Sequence, residues 1–281
     1  MDLMTSELES NIQREILTPA IQGDYALASK NIDPVLQELY ANIPENKRIS
    51  YGRVHTVKVL AKYLYTHLIE ENIPIFEIAS QLYAACEMNW SKGVALGILA
   101  DYGVTDYQSV LPYFESAAGS DDWDLREFAQ MFFRRLIKKY PADMQAFLLR
   151  LVKSEDPNLR RFVSETLRPV QENQWFYKDP DYSLTVLRHL FKESNPYPRT
   201  SVGNNLSDLA RRLPELVYGL VEELVASGDK NSYWIAYRAC RNLVKKEPVR
   251  VMDLLGVDEY KYKKAVYQRS DYEAVETVFL I

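Results

Sequence analysis

The chain has few of the residues on which most enzymatic chemistry rests. Two cysteines, Cys86 and Cys240, stand in 281 residues, too few for a disulfide framework. Three histidines, His55, His67 and His189, are scattered, with no cysteine or carboxylate at metal-ligand spacing, so no metal site is expected. Ten glycines form no Gly-rich phosphate loop, and no nucleophile elbow occurs. No apolar run approaches the roughly 18–20 residues that span a bilayer. The opening Met1-Asp-Leu-Met-Thr-Ser-Glu7 lacks the basic and apolar regions of a signal peptide. The expectation is a reduced, cytoplasmic protein with no membrane association, no metal and no cofactor. A linker rich in Gly, Ser or Pro is missing too. That predicts one domain over 1–281: N-terminal helices (1–120), clear repeats (121–258) and a C-terminal tail (259–281).

What the sequence does contain is a repeat. Similar segments begin at Asp122, Asp156, Asn195 and Asp229. A repeat of roughly 34–39 residues, made of two helices and no strand pattern, predicts an all-α fold, a right-handed α-solenoid of HEAT-like helical repeats. Asp or Asn opens each unit as an N-cap that accepts from orphan helix amides. Counted from that residue as the first, the eighth, twelfth and fifteenth positions are apolar. They are Ala129, Phe133 and Leu136; Val163, Leu167 and Val170; Val202, Leu206 and Leu209; Ala236, Cys240 and Leu243. Steps of four and three place each trio on one helix face. Second amphipathic runs follow at 144–152, 182–191, 216–225 and 249–255. Three first helices close on a basic pair, Lys138-Lys139, Arg211-Arg212 and Lys245-Lys246. Cations at helix C-termini are favoured by the macrodipole alone, and their recurrence equally suits a basic stripe.

Upstream, helices are expected at 5–18, 32–40, 53–71, 75–87, 90–102 and 107–118, with the clearest loop at 42–52. The end of the tail, 272–281, is open between helix, strand and docked segment. Charge is uneven. Residues 1–120 carry 15 acidic and 8 basic side chains, and residues 121–281 carry 24 and 26. The net charge of −5 excludes a uniformly basic nucleic-acid binder, so any phosphate-facing surface is local and belongs to the repeat half.

Carboxylates beside indoles at repeat starts are the remaining candidates for chemistry. Asp121, Asp122, Trp123, Asp124 and Glu127 form the densest cluster; Trp175 follows the second repeat helix and Trp234 opens the fourth. Core packing accounts equally well for a tryptophan at helical spacing, and a solvated helix face for Glu127.

Three stretches carry a family resemblance: Asp156-Pro-Asn-Leu-Arg-Arg-Phe-Val-Ser-Glu-Thr-Leu-Arg-Pro169, Asn195-Pro-Tyr-Pro-Arg-Thr-Ser-Val-Gly-Asn-Asn-Leu-Ser-Asp208 and Trp234-Ile-Ala-Tyr-Arg-Ala-Cys-Arg-Asn-Leu-Val-Lys-Lys246. Over roughly 90–258 the chain resembles the DNA alkylation repair proteins of the AlkC/AlkD type, nearer AlkC. The resemblance implies an N-glycosylase that excises positively charged alkylated purines, 3-methyladenine or 7-methylguanine, from double-stranded DNA, acting as a monomer at a bacterial-type nucleoid. It implies Glu127 as the catalytic carboxylate and Trp123, Trp175 and Trp234 as lesion-contacting aromatics. It implies DNA contacts at Arg160, Arg161, Arg168, Arg199, Asn205 and Arg238, with Asp208 orienting its neighbours. A non-catalytic DNA-binding repeat protein and a protein-interaction scaffold are the alternatives.

Overall fold

The N-cap predicted for each repeat is made in the same way. Asp122 accepts from the Leu125 amide at 3.0 Å, Asp156 from Asn158 at 2.8 Å, Asn195 from Tyr197 at 2.9 Å and Asp229 from Asn231 and Ser232 at 2.9 Å. Each cap contributes about 1 kcal/mol. A second device repeats with it. The cap residue's own N–H donates two residues back, to the hydroxyls of Ser120, Ser154 and Ser227 and, in the third repeat, to Glu193 Oε1.

The computed structural model describes residues 3–272, with the side chains of 49–51 outside that description. They form two compact units, 1–141 and 142–281. The first contains α1 (Ser6–Ile12), α2 (Thr18–Ile21), α3 (Tyr25–Ala41), α4 (Arg48–Glu70), α5 (Ile75–Ala85), α6 (Asn89–Tyr102), α7 (Tyr107–Ala118) and α8 (Trp123–Lys139). A π-helical segment, Gln13–Leu17, joins α1 to α2. Here α4, α6 and α8 pack side by side in one row, with α5 and α7 behind it.

From the boundary onward come α9 (Pro141–Leu151), α10 (Pro157–Thr166), α11 (Pro180–Leu187), α12 (Pro196–Leu209), α13 (Pro214–Ala226), α14 (Lys230–Ala239) and α15 (Pro248–Leu255). In this unit α10, α12 and α14 form the row, and α13 packs behind α12 and α14. Both units are therefore helical and built of HEAT-like two-layer repeats, the second adding one short β hairpin.

The repeat's apolar trios make the core. Eleven of those twelve residues are buried; Val170 is half-buried. The exception has a cause: α10 ends at Thr166, and Pro169 lies beyond it, so the fifteenth position has left the helix. The spacing of 39 residues also has a cause, a 3₁₀ segment at Gln171–Tyr177. The Asn173 amide pins it by donating to the carbonyls of Thr166 at 2.8 Å and Arg168 at 3.1 Å.

Two boundaries differ from expectation. Helix α3 begins at Tyr25, capped by Asp24, and carries Pro34 inside. The 42–52 loop is shorter than expected, since helical residues resume at Arg48 and break at Gly52, whose φ of 54° favours glycine. The tail was not expected to contain a hairpin, yet β1 (Glu259–Tyr262) pairs antiparallel with β2 (Ala265–Gln268). The expectations for 273–281 lie outside the described residues.

Candidate nucleic-acid interface

The helix count that finds the core also finds its opposite face. Two residues before each apolar position the side chain points about 200° around the helix. These sixth, tenth and thirteenth positions are Arg161 and Glu165 on α10 with Arg168 just past its end; Thr200, Asn204 and Ser207 on α12; Trp234 and Arg238 on α14 with Arg241 just past its end. On α8 of the first unit they are Glu127, Met131 and Arg134.

In the second unit these positions join into one polar network. Glu165, 5% exposed, accepts from Ser201 Oγ at 2.6 Å and Arg168 Nη1 at 3.1 Å, with Arg161 Nη2 at 3.8 Å. Asp208, 7% exposed, accepts from Arg168 Nη2 at 2.6 Å and Arg241 Nη2 at 3.2 Å. Arg241 also donates to Ser207 Oγ at 2.8 Å and Asn204 Oδ1 at 2.7 Å; Arg238 shares that Asn204 oxygen at 2.8 Å. Arg199 lies over the Trp234 ring at 4.7 Å and donates to Asn231 Oδ1 at 2.6 Å. Arg161 lies over Tyr197 at 4.6 Å.

Arg161, Arg168, Arg241 and Arg211 (Nη2 3.4 Å from Asp208 Oδ1) thus meet two carboxylates, Glu165 and Asp208, and Arg199 and Arg238 meet none among the described residues. Stacking and neutral acceptors hold Arg199 and Arg238 without neutralising them. Burial alone would pull the Arg168 guanidinium down, yet Glu165 and Asp208 hold it above its ordinary value. Arg238 goes the other way, lowered by burial and by Arg241 beside it. The row is an oriented set of cations in a half-buried setting, suited to oxyanions spaced along a chain.

The other predicted residues take distinct places. Arg160 bonds Glu193 Oε2 at 2.6 Å and the Ser154 carbonyl at 2.7 Å, so it ties two repeat starts together. Asn205 is fully buried, its amide on the Ser164 carbonyl at 2.9 Å. Trp175 packs at 4.4 Å from Phe176 and 4.9 Å from Tyr182, half-buried in an aromatic cluster.

In the first unit, Trp123 is 57% exposed at the start of α8. One turn on, Glu127 accepts from the Gln130 amide. On the same turn, Trp90 donates from its indole to Asp124 Oδ2 at 3.1 Å and meets Phe128 edge-on at 5.0 Å. A cavity of about 540 Å³ opens beside Trp90, lined also by Tyr40, Arg53, Asp33 and Met88. Among the described residues no cluster of three or more His, Cys, Asp or Glu side chains is arranged to hold a metal, and no helix is long and apolar enough to cross a membrane.

Sequence reasoning missed Glu165, Asn204, Ser207, Arg241 and Trp90. The first four were within reach, because they follow from the repeat count shifted by two. Trp90 carries no such signal, since it precedes the recognisable repeats.

No family model matches the chain. The uncharacterized protein YhaZ of Bacillus subtilis (strain 168) is 27% identical over 163 residues, covering 56% of this chain and 43% of that protein; the match thus spans less than half of that relative. Among solved structures the chain is similar to the Pseudomonas fluorescens alkylpurine DNA glycosylase AlkC, bound to DNA containing an abasic site analog, with a TM-score of 0.59, 19% identity and coverage of 90% of this chain and 69% of that one. It is similar to smu.31 of Streptococcus mutans UA159 (TM-score 0.55, 18% identity, 73% and 98% covered). AlkD2 of Streptococcus mutans gives a TM-score of 0.50 at 16% identity, with 83% and 98% covered.

Proposed function

We infer that this chain, whose fold is the HEAT-like helical-repeat fold of the AlkC/AlkD type, is a DNA repair protein that removes positively charged alkylated purines from double-stranded DNA. The observation that carries this is the arginine row on α10, α12 and α14, whose two carboxylates are buried and already bonded. Such a row suits phosphodiesters, which position a duplex without reading its sequence. The shared fold supports the reading, because the AlkC of similar structure is bound to DNA.

The chemistry asks little of the protein. An N-alkylated purine cation is already a good leaving group and needs no protonation. What remains is to stabilise oxocarbenium character at the deoxyribose and to orient a water, and one carboxylate serves both purposes. Glu127 fills that role in this reading, with the Gln130 amide fixing one of its oxygens. Exposed Trp123 beside it offers a π face to a cationic base, worth about 0.5–2 kcal/mol. The protein would act as a monomer in the cytoplasm.

The test is release of 3-methyladenine and 7-methylguanine from methylated duplex by wild type and by Glu127→Gln. Release by wild type, falling by roughly 100-fold or more in the variant, is expected. Equal release by both removes Glu127 from the chemistry. A second reading, a non-catalytic DNA-binding protein, draws on the same arginine row, in which both carboxylates are committed to guanidinium groups. Salt-dependent duplex binding with no base released establishes it instead.

A further inference from the structure

The hairpin is fixed on α14 by more than strand pairing. Tyr260 is fully buried and stacks on Tyr237 at 4.4 Å, and its hydroxyl donates to the Tyr237 carbonyl at 2.8 Å. In return the Tyr237 hydroxyl donates to the Lys261 carbonyl at 3.1 Å and accepts from the Lys261 amide at 2.7 Å. Arg241 reaches the Tyr262 hydroxyl at 3.3 Å. The turn that follows holds Lys263 at a φ of 56° and exposes Lys263 and Lys264.

This docking leaves an open cavity of about 370 Å³ lined by Trp234, Tyr237, Arg238, Lys261, Tyr262 and Lys263. Three of the six are cations and three are aromatic; none is a carboxylate. Lys261 has Glu259 Oε1 at 2.6 Å. The Arg238 Nε–H meets a neutral acceptor, Asn204, and the guanidinium lies 5.5 Å from the Trp234 ring centroid. Lys263 Nζ lies 5.7 Å from the Tyr262 ring centroid. Burial alone would raise the Tyr262 phenol, yet Arg241, Arg238 and Lys263 together draw it below its ordinary value, a sign of how positive this corner is.

Cations between flat aromatic walls suit a phosphate that carries a sugar, and the volume lies in the range of small-ligand sites. Arg238 is also the tenth-position residue of α14, so the cavity terminates the arginine row of α10, α12 and α14. We propose that α14 and the β1–β2 hairpin form a subsite that seats one phosphodiester of the bound DNA strand, with the sugar beside it against Trp234 and Tyr262. This rests on the DNA-binding reading above.

Lys263→Asn tests it, because asparagine tolerates the left-handed turn that alanine strains. Binding of a fluorescent 20-base-pair duplex is measured by anisotropy across a salt series, with thermal unfolding confirming that the variant folds. The expected result is roughly three- to ten-fold weaker binding near 0.1 M salt, and a salt slope shallower by about 0.9, as loss of one phosphate contact requires. In wild type, the duplex should protect Lys263 from an amine-acylating reagent. Unchanged affinity and slope in a protein that binds duplex, or no protection of Lys263, overturns the subsite and leaves the DNA reading standing. Protection by a free deoxynucleoside monophosphate but not by duplex overturns it in favour of a small-nucleotide site. Failure of wild type to bind duplex at low salt overturns both.

Discussion

Asp208 is the residue whose loss should be felt most in the second unit, and Asp208→Asn is the least disruptive way to remove its charge. The side chain is 9% exposed and accepts from Arg168 Nε at 3.0 Å and Nη2 at 2.6 Å through one oxygen, and from Arg241 Nη2 at 3.2 Å through the other. An asparagine of the same shape turns one of those oxygens into an NH₂ facing a guanidinium, a donor against a donor. Breaking a buried ion pair from one side costs about 3–5 kcal/mol. Two features reduce that here. Arg168 keeps Glu165, and its side chain is 29% exposed, so solvent screens part of the loss. Arg241 keeps Ser207 and Asn204. A destabilisation of about 2–3 kcal/mol remains. With an urea m-value of roughly 2–3 kcal/mol/M, the unfolding midpoint should fall by about 1 M with the slope unchanged. Arg168→Met in the same assay completes a double-mutant cycle, and a coupling of at least about 1 kcal/mol is expected. Duplex affinity should be unchanged or tighter, because three guanidinium groups, those of Arg168, Arg241 and Arg211 (Nη2 3.4 Å from Oδ1), lose a competing anion. A wild-type midpoint for Asp208→Asn would refute the argument that the buried network holds these helices together.

Three other outcomes are expected. A Cβ on Gly203 would sit 2.8 Å from Arg238 Cβ; overpacking of about 1–3 kcal/mol exceeds the roughly 1 kcal/mol gained in helix propensity, so Gly203→Ala should lower the urea midpoint, and a midpoint equal to or above wild type would show that α12 and α14 can separate freely. Burial pushes the Cys86 and Cys240 thiols up to about 12, so Ellman's reagent should titrate no thiol in the native protein at pH 8 and two per chain in denaturant; a rapid native reaction at either would contradict their burial. Amide hydrogen bonds from the backbone of Ser232 lead the interactions that lower Asp229 below its ordinary value, so its contribution is complete above the unfolded pKa near 4 and is lost as pH falls through the folded one; Asp229→Asn retains a capping residue, should shrink the drop in urea midpoint between about pH 6 and pH 3, and would count against the cap's charge if the drop stayed the same.

Legibility from sequence followed how local the cause was. The caps Asp122, Asp156, Asn195 and Asp229 act on amides two or three residues away, and the apolar trios declare themselves through helix period, so both were readable. The hairpin was not, because β1 and β2 are four residues each and their stability comes from Tyr260 burying itself against Tyr237 on another element. The Trp175 cluster was hidden for the same reason. Its neighbours Phe176 and Tyr182 are close in sequence, but nothing in the spacing tells whether the 3₁₀ segment turns the indole inward. Arg160 shows the limit most plainly: the resemblance implies a phosphate contact there, and only the position of Glu193, 33 residues on, shows that it also ties two repeat starts together.

The sixth position of the repeat joins these two kinds of residue. The eighth, twelfth and fifteenth positions share one apolar demand, and nearly all are buried. The sixth lies on the opposite face and holds a carboxylate at Glu127, a guanidinium at Arg161, a hydroxyl at Thr200 and an indole at Trp234. Packing in a row of helices does not require that diversity, since any small polar residue would serve there. Within the second unit, a repeat whose outward position differs in every copy, while its inward positions stay apolar, sets up a different chemical contact at each step. That arrangement suits a polymer with distinct parts, such as a phosphate, a sugar and a base, better than it suits a uniform protein surface. Exchanging the sixth-position residues outside the buried ion-pair network, Glu127 and Thr200, should therefore alter binding or turnover while leaving the unfolding free energy within about 0.5 kcal/mol of wild type, whereas eighth-position exchanges should do the reverse.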